Sequence, residues 1–292
     1  MNEAVDKAAI LIEALPYIQR FRGAVVVVKF GGSAMEDPEQ VDSILADIAF
    51  MECVGMRPVV VHGGGKAISR GMAGEGIAPR FVQGLRVTCE RTIQVVERVI
   101  KGEVNPRIVR GLLARDARAR SLHGDEVFRV TRKTGTDPLT GEALDWGFVG
   151  VPGEVDTRPI RSSIDEGVIP VITPLGLGPD HQVHNINADV AAAAVARALP
   201  ARKLVFLSDV PGLCRDPEDP ASVIPSLRVA DTERLIAEGV IAGGMLPKIR
   251  SCVEALHAGV RKVHMIDGRQ RHSLLLEIFT DKGVGTEILG DA

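Results

Sequence analysis

Apolar residues follow two rhythms along this chain. Short unbroken runs at Val25–Phe30, Val59–His62, Val168–Thr173, Lys203–Ser208 and Lys262–Ile266 alternate with segments near 38–54, 89–101, 104–118, 188–199, 230–238 and 247–258 that read as helices. A continuous β-branched run suits a strand buried on both faces. The alternation therefore predicts an α/β fold, a three-layer αβα sandwich around a mostly parallel sheet. Ahead of the first run, Val5, Ala8, Ile12, Leu15 and Ile18 recur at three- and four-residue steps, predicting a helix over 2–21. That helix either packs back on its own domain or reaches into a neighbouring subunit.

Pro247 and Gly259 bound a further helix, and Pro200 ends the alanine-rich one, which puts a lobe boundary near 195–203. The expected division is an N-terminal helix over 1–23, an N-lobe over 24–195 and a C-lobe over 196–292. Residues 122–155 break the alternation. There Gly135, Pro138, Gly141 and Gly147 punctuate extended pieces, predicting an antiparallel hairpin able to lie over a ligand.

Composition narrows the class without naming it. With 292 residues, 45% hydrophobic, 25% charged and a net charge of −3, the chain reads as globular, with no sign of a nucleic-acid surface. No apolar stretch reaches membrane-spanning length, and Glu3, Asp6 and Glu13 stand where a secretory signal would be basic and then apolar, so the expected location is the cytoplasm. Cys53, Cys89, Cys214 and Cys252 lie far apart with no metal-ligand spacing, and reduced thiols are expected.

The candidate chemistry sits after the apolar runs. Lys29-Phe30-Gly31-Gly32-Ser33 and His62-Gly63-Gly64-Gly65-Lys66 each follow a strand, where glycine turns free backbone N–H groups to hold an anion. Neither matches a P-loop or a dinucleotide fingerprint. Lys29 at a strand's carboxyl end calls for an anionic partner, either a bound phosphate or a carboxylate at the sheet edge. Lys248, after Gly243-Gly244-Met245 at a helix start, opposes the helix dipole unless an anion compensates it, and reads either as an anion contact or as a purely structural residue. In His184-Asn185-Ile186-Asn187-Ala188-Asp189, Asn187 or Asp189 can cap the helix that follows. Arg86 can clamp a carboxylate through two parallel hydrogen bonds, or merely solvate a surface. His62 and His184 read as core or supporting residues with no catalytic role.

Taken together, these pieces resemble the acetylglutamate kinase branch of the amino acid kinase family. The likeness runs from Phe21 to the C-terminus through Val-Lys-Phe-Gly-Gly-Ser-Ala-Met at 28–35, Val-His-Gly-Gly-Gly at 61–65, Gly-Leu-Arg-Val-Thr at 84–88, Asn-Ile-Asn-Ala-Asp at 185–189, Leu-Ser-Asp-Val-Pro-Gly-Leu at 207–213 and Gly-Gly-Met-Leu-Pro-Lys at 243–248. It implies that Lys29 and Lys248 contact the transferring phosphoryl group, that Gly32 and Gly64 offer it backbone N–H groups, and that Asp189 orients both lysines. Arg86 and Asn185, with Gly64 and Gly65, would hold N-acetyl-L-glutamate in the N-lobe. The C-lobe would bind ATP, carrying Mg2+, through Ser208, Asp209, Leu213, Gly244 and Met245, with Lys29 and Gly31 facing its phosphates. Ser33, Lys66 and Leu246-Pro247 depart mildly from the family pattern, and none removes a needed charge.

A carboxylate acceptor, with a pKa of about 4.3, is ionised at neutral pH and can attack ATP without a general base, which agrees with the lack of a His-Asp pair in these motifs. The helix at 2–21 and the segment His272–Thr286 resemble arginine-inhibited members, in which N-terminal helices interlace three dimers into a hexamer. The resemblance thus implies an L-arginine site near Tyr17, Arg20, His272 and Gly285, and leaves a PII-type nitrogen-signalling protein open as a further partner. Another acceptor (glutamate, aspartate, carbamate or UMP), or an inactive arginine-binding sensor, are the alternatives.

Overall fold

A computed structural model describes residues 2–137, 140–199, 201–280 and 283–291. Helix α1 (Asn2–Phe21) precedes β1 (Val25–Phe30), α2 (Pro38–Cys53), β2 (Arg57–His62) and α3 (Gly65–Gly74). A two-residue ribbon, β3 (Phe81–Val82) with β4 (Leu85–Arg86), leads to α4 (Glu90–Val99), a π-helical turn over Ile100–Val104, and α5 (Asn105–Leu113). β5 (Ala119–Leu122) and α6 (Gly124–Val127) enter a long hairpin, β6 (Phe128–Thr136) and β7 (Ala143–Val155). Next come α7 (Arg158–Asp165), β8 (Ile169–Ile172), β9 (Leu175–Leu177), β10 (Val183–Asn185) and α8 (Ala188–Ala198). The chain continues through β11 (Lys203–Ser208), β12 (Ser226–Arg228), α9 (Thr232–Ala237), α10 (Met245–His257), β13 (Lys262–Asp267), α11 (Ser273–Ile278) and β14 (Thr286–Leu289).

Eight strands form one sheet in the order β12-β14-β13-β11-β1-β2-β8-β5, parallel except where β14 runs against β13. Alternate residues of β1 serve different cores because successive side chains of a strand point to opposite faces. Val27 packs with the alanines of α8 and with Ile249 and Cys252 of α10. Val26, Val28 and Phe30 pack on the other face with Ile44 and Ile48 of α2, and with Val96 of α4. The expected three-layer arrangement is present, and the hairpin excursion forms as β6 and β7, which close with β9 and β10 into a small barrel.

One expectation shifts in detail and one open choice narrows. The helix placed over 104–118 ends at Leu113, because β5 starts at Ala119 and adds an edge strand beside β8. Helix α1 leaves Val5, Ile10, Leu11, Ile12 and Leu15 exposed, so these side chains do not pack back on their own chain. Pro138 and Pro200, both read as punctuation, lie outside the described residues.

Candidate active site

Two glycine loops leave neighbouring strands at the same edge of the sheet. In the parallel β1–β2 pair, Lys29 lies opposite Val61 and Phe30 opposite His62, so the turns at Gly31–Gly32 and Gly63–Gly65 emerge side by side at the strands' carboxyl ends. This is where open α/β sheets bind ligands. The Gly63 N–H donates to the Phe30 carbonyl at 2.7 Å and ties one loop to the other. Gly32 has φ +75°, the left-handed region that favours glycine, and a Cβ on Gly64 would fall 2.5 Å from Ile100 Cδ1.

Asp189 joins three elements at this edge. Lys29 Nζ, from β1, lies 2.9 Å from Oδ1 as an ion pair, and Lys248 Nζ, from the first turns of α10, donates to Oδ2 at 3.2 Å. Burial pushes the Asp189 carboxyl up, but the two ammonium groups prevail and hold it down at about 2. One carboxylate shared by two ammonium groups leaves net positive charge, and burying that charge favours a bound anion. The reach of Lys248 follows from sequence: the small alanines of α8 let α10 pack close beside it, in the same core as Ile249, Cys252 and Ala255. Capping falls to Asn187, whose Oδ1 accepts from the N–H groups of Asp189 and Val190 at 2.8 and 3.3 Å.

A cavity of about 570 Å³ opens over this cluster. Of the expected site residues, Lys29, Gly32, Gly64, Gly65, Arg86, Asn185, Asp189 and Asp209 line it. Arg86 is buried and donates to the Gly65 carbonyl at 2.9 Å and to Ser69 Oγ at 2.8 Å, while its guanidinium stacks 4.7 Å from the Phe81 ring centroid. Burial lowers its pKa, and among the described residues no carboxylate pairs with it. Asn185 faces the cavity from β10, in register with Val149.

The other expected nucleotide contacts lie deeper or beyond the rim. Gly31 sits against the Lys29 side chain, and Gly244 and Met245 form the start of α10, outside the cavity lining. Ser208 ends β11 with its buried Oγ unpaired. Leu213 is buried in the core, its N–H donates to Thr286 Oγ1 at 2.8 Å, and it lies outside the cavity lining. Ser69, Phe81 and Arg107 line the cavity as well, and the sequence motifs did not single them out. Phe81 carried a readable signal, an aromatic residue just ahead of Gly84-Leu85-Arg86.

A second cavity of about 310 Å³ lies between α1 and the C-terminal segment, lined by Tyr17, Arg20 and Gly285 together with Lys203, Glu277 and Glu287. Burial raises the Glu277 carboxyl, but hydrogen bonds and charge from His264 and Lys203 dominate and leave it at about 2. His272, grouped with these residues from sequence, is elsewhere. It takes a left-handed conformation (φ +57°) before α11 and pairs through Nδ1 with Asp47 at 2.7 Å.

An open α/β sheet carrying two glycine cradles and a lysine–aspartate–lysine cluster defines a site suited to phosphoryl groups. Residues 24–267 match the model of the amino acid kinase family, and the chain belongs to that family. It is 47% identical over 294 residues to an acetylglutamate kinase of Heliobacterium modesticaldum, covering 99% of this chain and 100% of that one. It is 46% identical to an acetylglutamate kinase of Symbiobacterium thermophilum, covering 99% of each. Among solved structures it resembles N-acetylglutamate synthase from Neisseria gonorrhoeae complexed with coenzyme A and N-acetyl-glutamate, at 29% identity and a TM-score of 0.85. The match covers 98% of this chain and 64% of the synthase chain.

Proposed function

We propose that this protein transfers the γ-phosphoryl group of ATP to the γ-carboxylate of N-acetyl-L-glutamate, a step of arginine biosynthesis, in the cytoplasm. The observation that carries the reading is the Lys29–Asp189–Lys248 cluster beside two glycine loops: Lys29 and Asp189 line one cavity with an Arg86 that no described carboxylate neutralises, and Lys248 joins them through Asp189. The acetylglutamate kinase relatives supply the acceptor.

Each group then has a role. The acceptor carboxylate is already ionised, so the site must position it and neutralise charge. Lys29 and Lys248 face the charge that spreads over the phosphoryl oxygens, and the N–H groups of Gly32 and Gly64 add oriented donors. Asp189, ionised throughout the neutral range, keeps both ammonium groups aimed at one point. Arg86, Asn185 and the Gly64–Gly65 backbone hold the acceptor. The unpaired Ser208 Oγ, with Asp209 and the start of α10, fits the polar part of a nucleotide, and Mg2+ arriving on its phosphates would neutralise them. The test is ADP formation with N-acetyl-L-glutamate, glutamate, aspartate, carbamate and UMP as acceptors. Strong preference for the first is expected, and preference for another would replace the substrate.

The second cavity is our proposed L-arginine site, with Glu277 and Glu287 as the negative groups for a guanidinium. The N. gonorrhoeae synthase, solved also with L-arginine, is the relevant neighbour. The exposed apolar residues of α1 are proposed to pack in a hexamer built as a trimer of dimers, which sedimentation would test: a monomer or dimer contradicts it.

A further inference from the structure

Behind the Gly63–Gly65 loop runs a line of polar side chains, His62, Asn105 and Ser121, none of which takes a direct part in the transfer. Their proton positions follow from their partners. Asn105 Nδ2 donates to the Val171 carbonyl at 2.9 Å, and since a carbonyl only accepts, this atom is the amide NH2 group. The same Nδ2 lies 3.1 Å from His62 Nε2, which must therefore accept, and the ring proton resides on Nδ1. Nδ1 then donates to the Gly63 carbonyl at 2.7 Å. At the far end the Ser121 hydroxyl donates to Asn105 Oδ1. His62 and Asn105 are wholly buried, and burial keeps the imidazole neutral by drawing its pKa down to about 4 against the pull of the Gly63 carbonyl.

What this line holds is one peptide plane. In a trans peptide the C=O of Gly63 and the N–H of Gly64 point in opposite directions. The carbonyl is drawn inward to His62, so the N–H faces away from the buried ring, on the side of the cavity that Gly64 lines. The Gly63 N–H is also taken, by Phe30, so both neighbouring peptides are pinned. The π-helical turn at 100–104 ends at Asn105 and sets that residue at the start of α5, beside the ring.

We propose that His62 is a positioning residue: the Ser121–Asn105–His62 line locks the Gly63–Gly64 peptide so that the Gly64 N–H is presented to the phosphoryl group in flight. The proposal rests on the phosphoryl-transfer reading of the site. Its experiment uses the isosteric difference between two amides. In His62→Asn the side-chain NH2 can take the place of Nδ1–H, whereas in His62→Gln it reaches toward the Nε2 position and leaves the Gly63 carbonyl without its donor. His62→Gln is expected to lose on the order of 100-fold in kcat with KM for both substrates within about threefold, while His62→Asn keeps kcat within about tenfold of wild type at a comparable Tm.

Equal losses in both variants that track Tm would overturn the positioning role. A second readout needs no variant: nitrogen-15 shifts of ring-labelled histidine in the wild-type chain are expected to place the His62 proton on Nδ1, and an Nε2–H tautomer would overturn the proposal. A wild type without acceptor-dependent ADP formation overturns the functional reading as well, so the two failures are distinguishable.

Discussion

Asn187 Oδ1 accepts the Asp189 N–H at 2.8 Å, and this bond settles which of the two residues caps helix α8. With the helix end satisfied by Asn187, the Asp189 carboxylate is left for Lys29 and Lys248. One short motif thereby serves both local structure and charge organisation. Removing the cap and removing the carboxylate should therefore have different signatures.

Asn187→Ala is expected to lower stability by about 1 kcal/mol, the usual cost of a lost N-cap. Asp189→Asn is expected to lower kcat on the order of 100-fold or more, because the two ammonium groups lose the charge that aims them. Thermal unfolding and steady-state kinetics on both variants check this. A full kcat in Asp189→Asn would make Asp189 a structural residue only.

Arg86→Lys is expected to raise KM for N-acetyl-L-glutamate at least tenfold with a smaller change in kcat, since an ammonium lacks the planar guanidinium, one nitrogen of which is anchored on the Gly65 carbonyl and Ser69 Oγ. An unchanged KM would count against Arg86 as the acceptor's carboxylate clamp.

His62 also makes a pH signature. Its folded-state pKa, about 4, lies below the ordinary 6.5, so between these values the unfolded chain binds the extra proton and stability falls as pH drops. The cost approaches about 3 kcal/mol at the acid end, from roughly 1.4 kcal/mol per pKa unit. The stability advantage of wild type over His62→Asn should therefore shrink between pH 7 and pH 5. A difference independent of pH would show that His62 is not buried neutral.

Millimolar L-arginine is expected to inhibit turnover, and Glu277→Gln to weaken that inhibition, because Glu277 is the carboxylate held ionised in the second cavity. Inhibition unaltered in the variant would move the effector site elsewhere, and an enzyme indifferent to arginine would remove it.

Much of the fold is legible in the sequence where burial is two-sided. Strands β1, β2 and β11 lie at the centre of the sheet, so their apolar runs are unbroken, and glycine clusters mark the turns beyond them. Strands β9, β10 and β14 have only three or four residues each, too short for an apolar run or an alternation to show, and their pairings define them. The π-helical turn at 100–104 reads locally as ordinary helix. Asp189 and Asn187 are both plausible caps from sequence, and choosing between them requires knowing where α10 brings Lys248. His272 and Gly285 share a contiguous segment, yet the left-handed backbone at His272 and its pairing with Asp47 carry it away from the cavity that Gly285 lines.

Lys29 and Lys248, joined through Asp189, are proposed to act together on the transferring phosphoryl group, and every other role assigned to the site depends on this. The most direct measurement is kcat for ADP formation by Lys29→Ala and Lys248→Ala at saturating substrates, with Tm recorded alongside. Each variant is expected to remain folded and to lose on the order of 100-fold or more. Folded variants that both turn over at the wild-type rate would contradict the shared role.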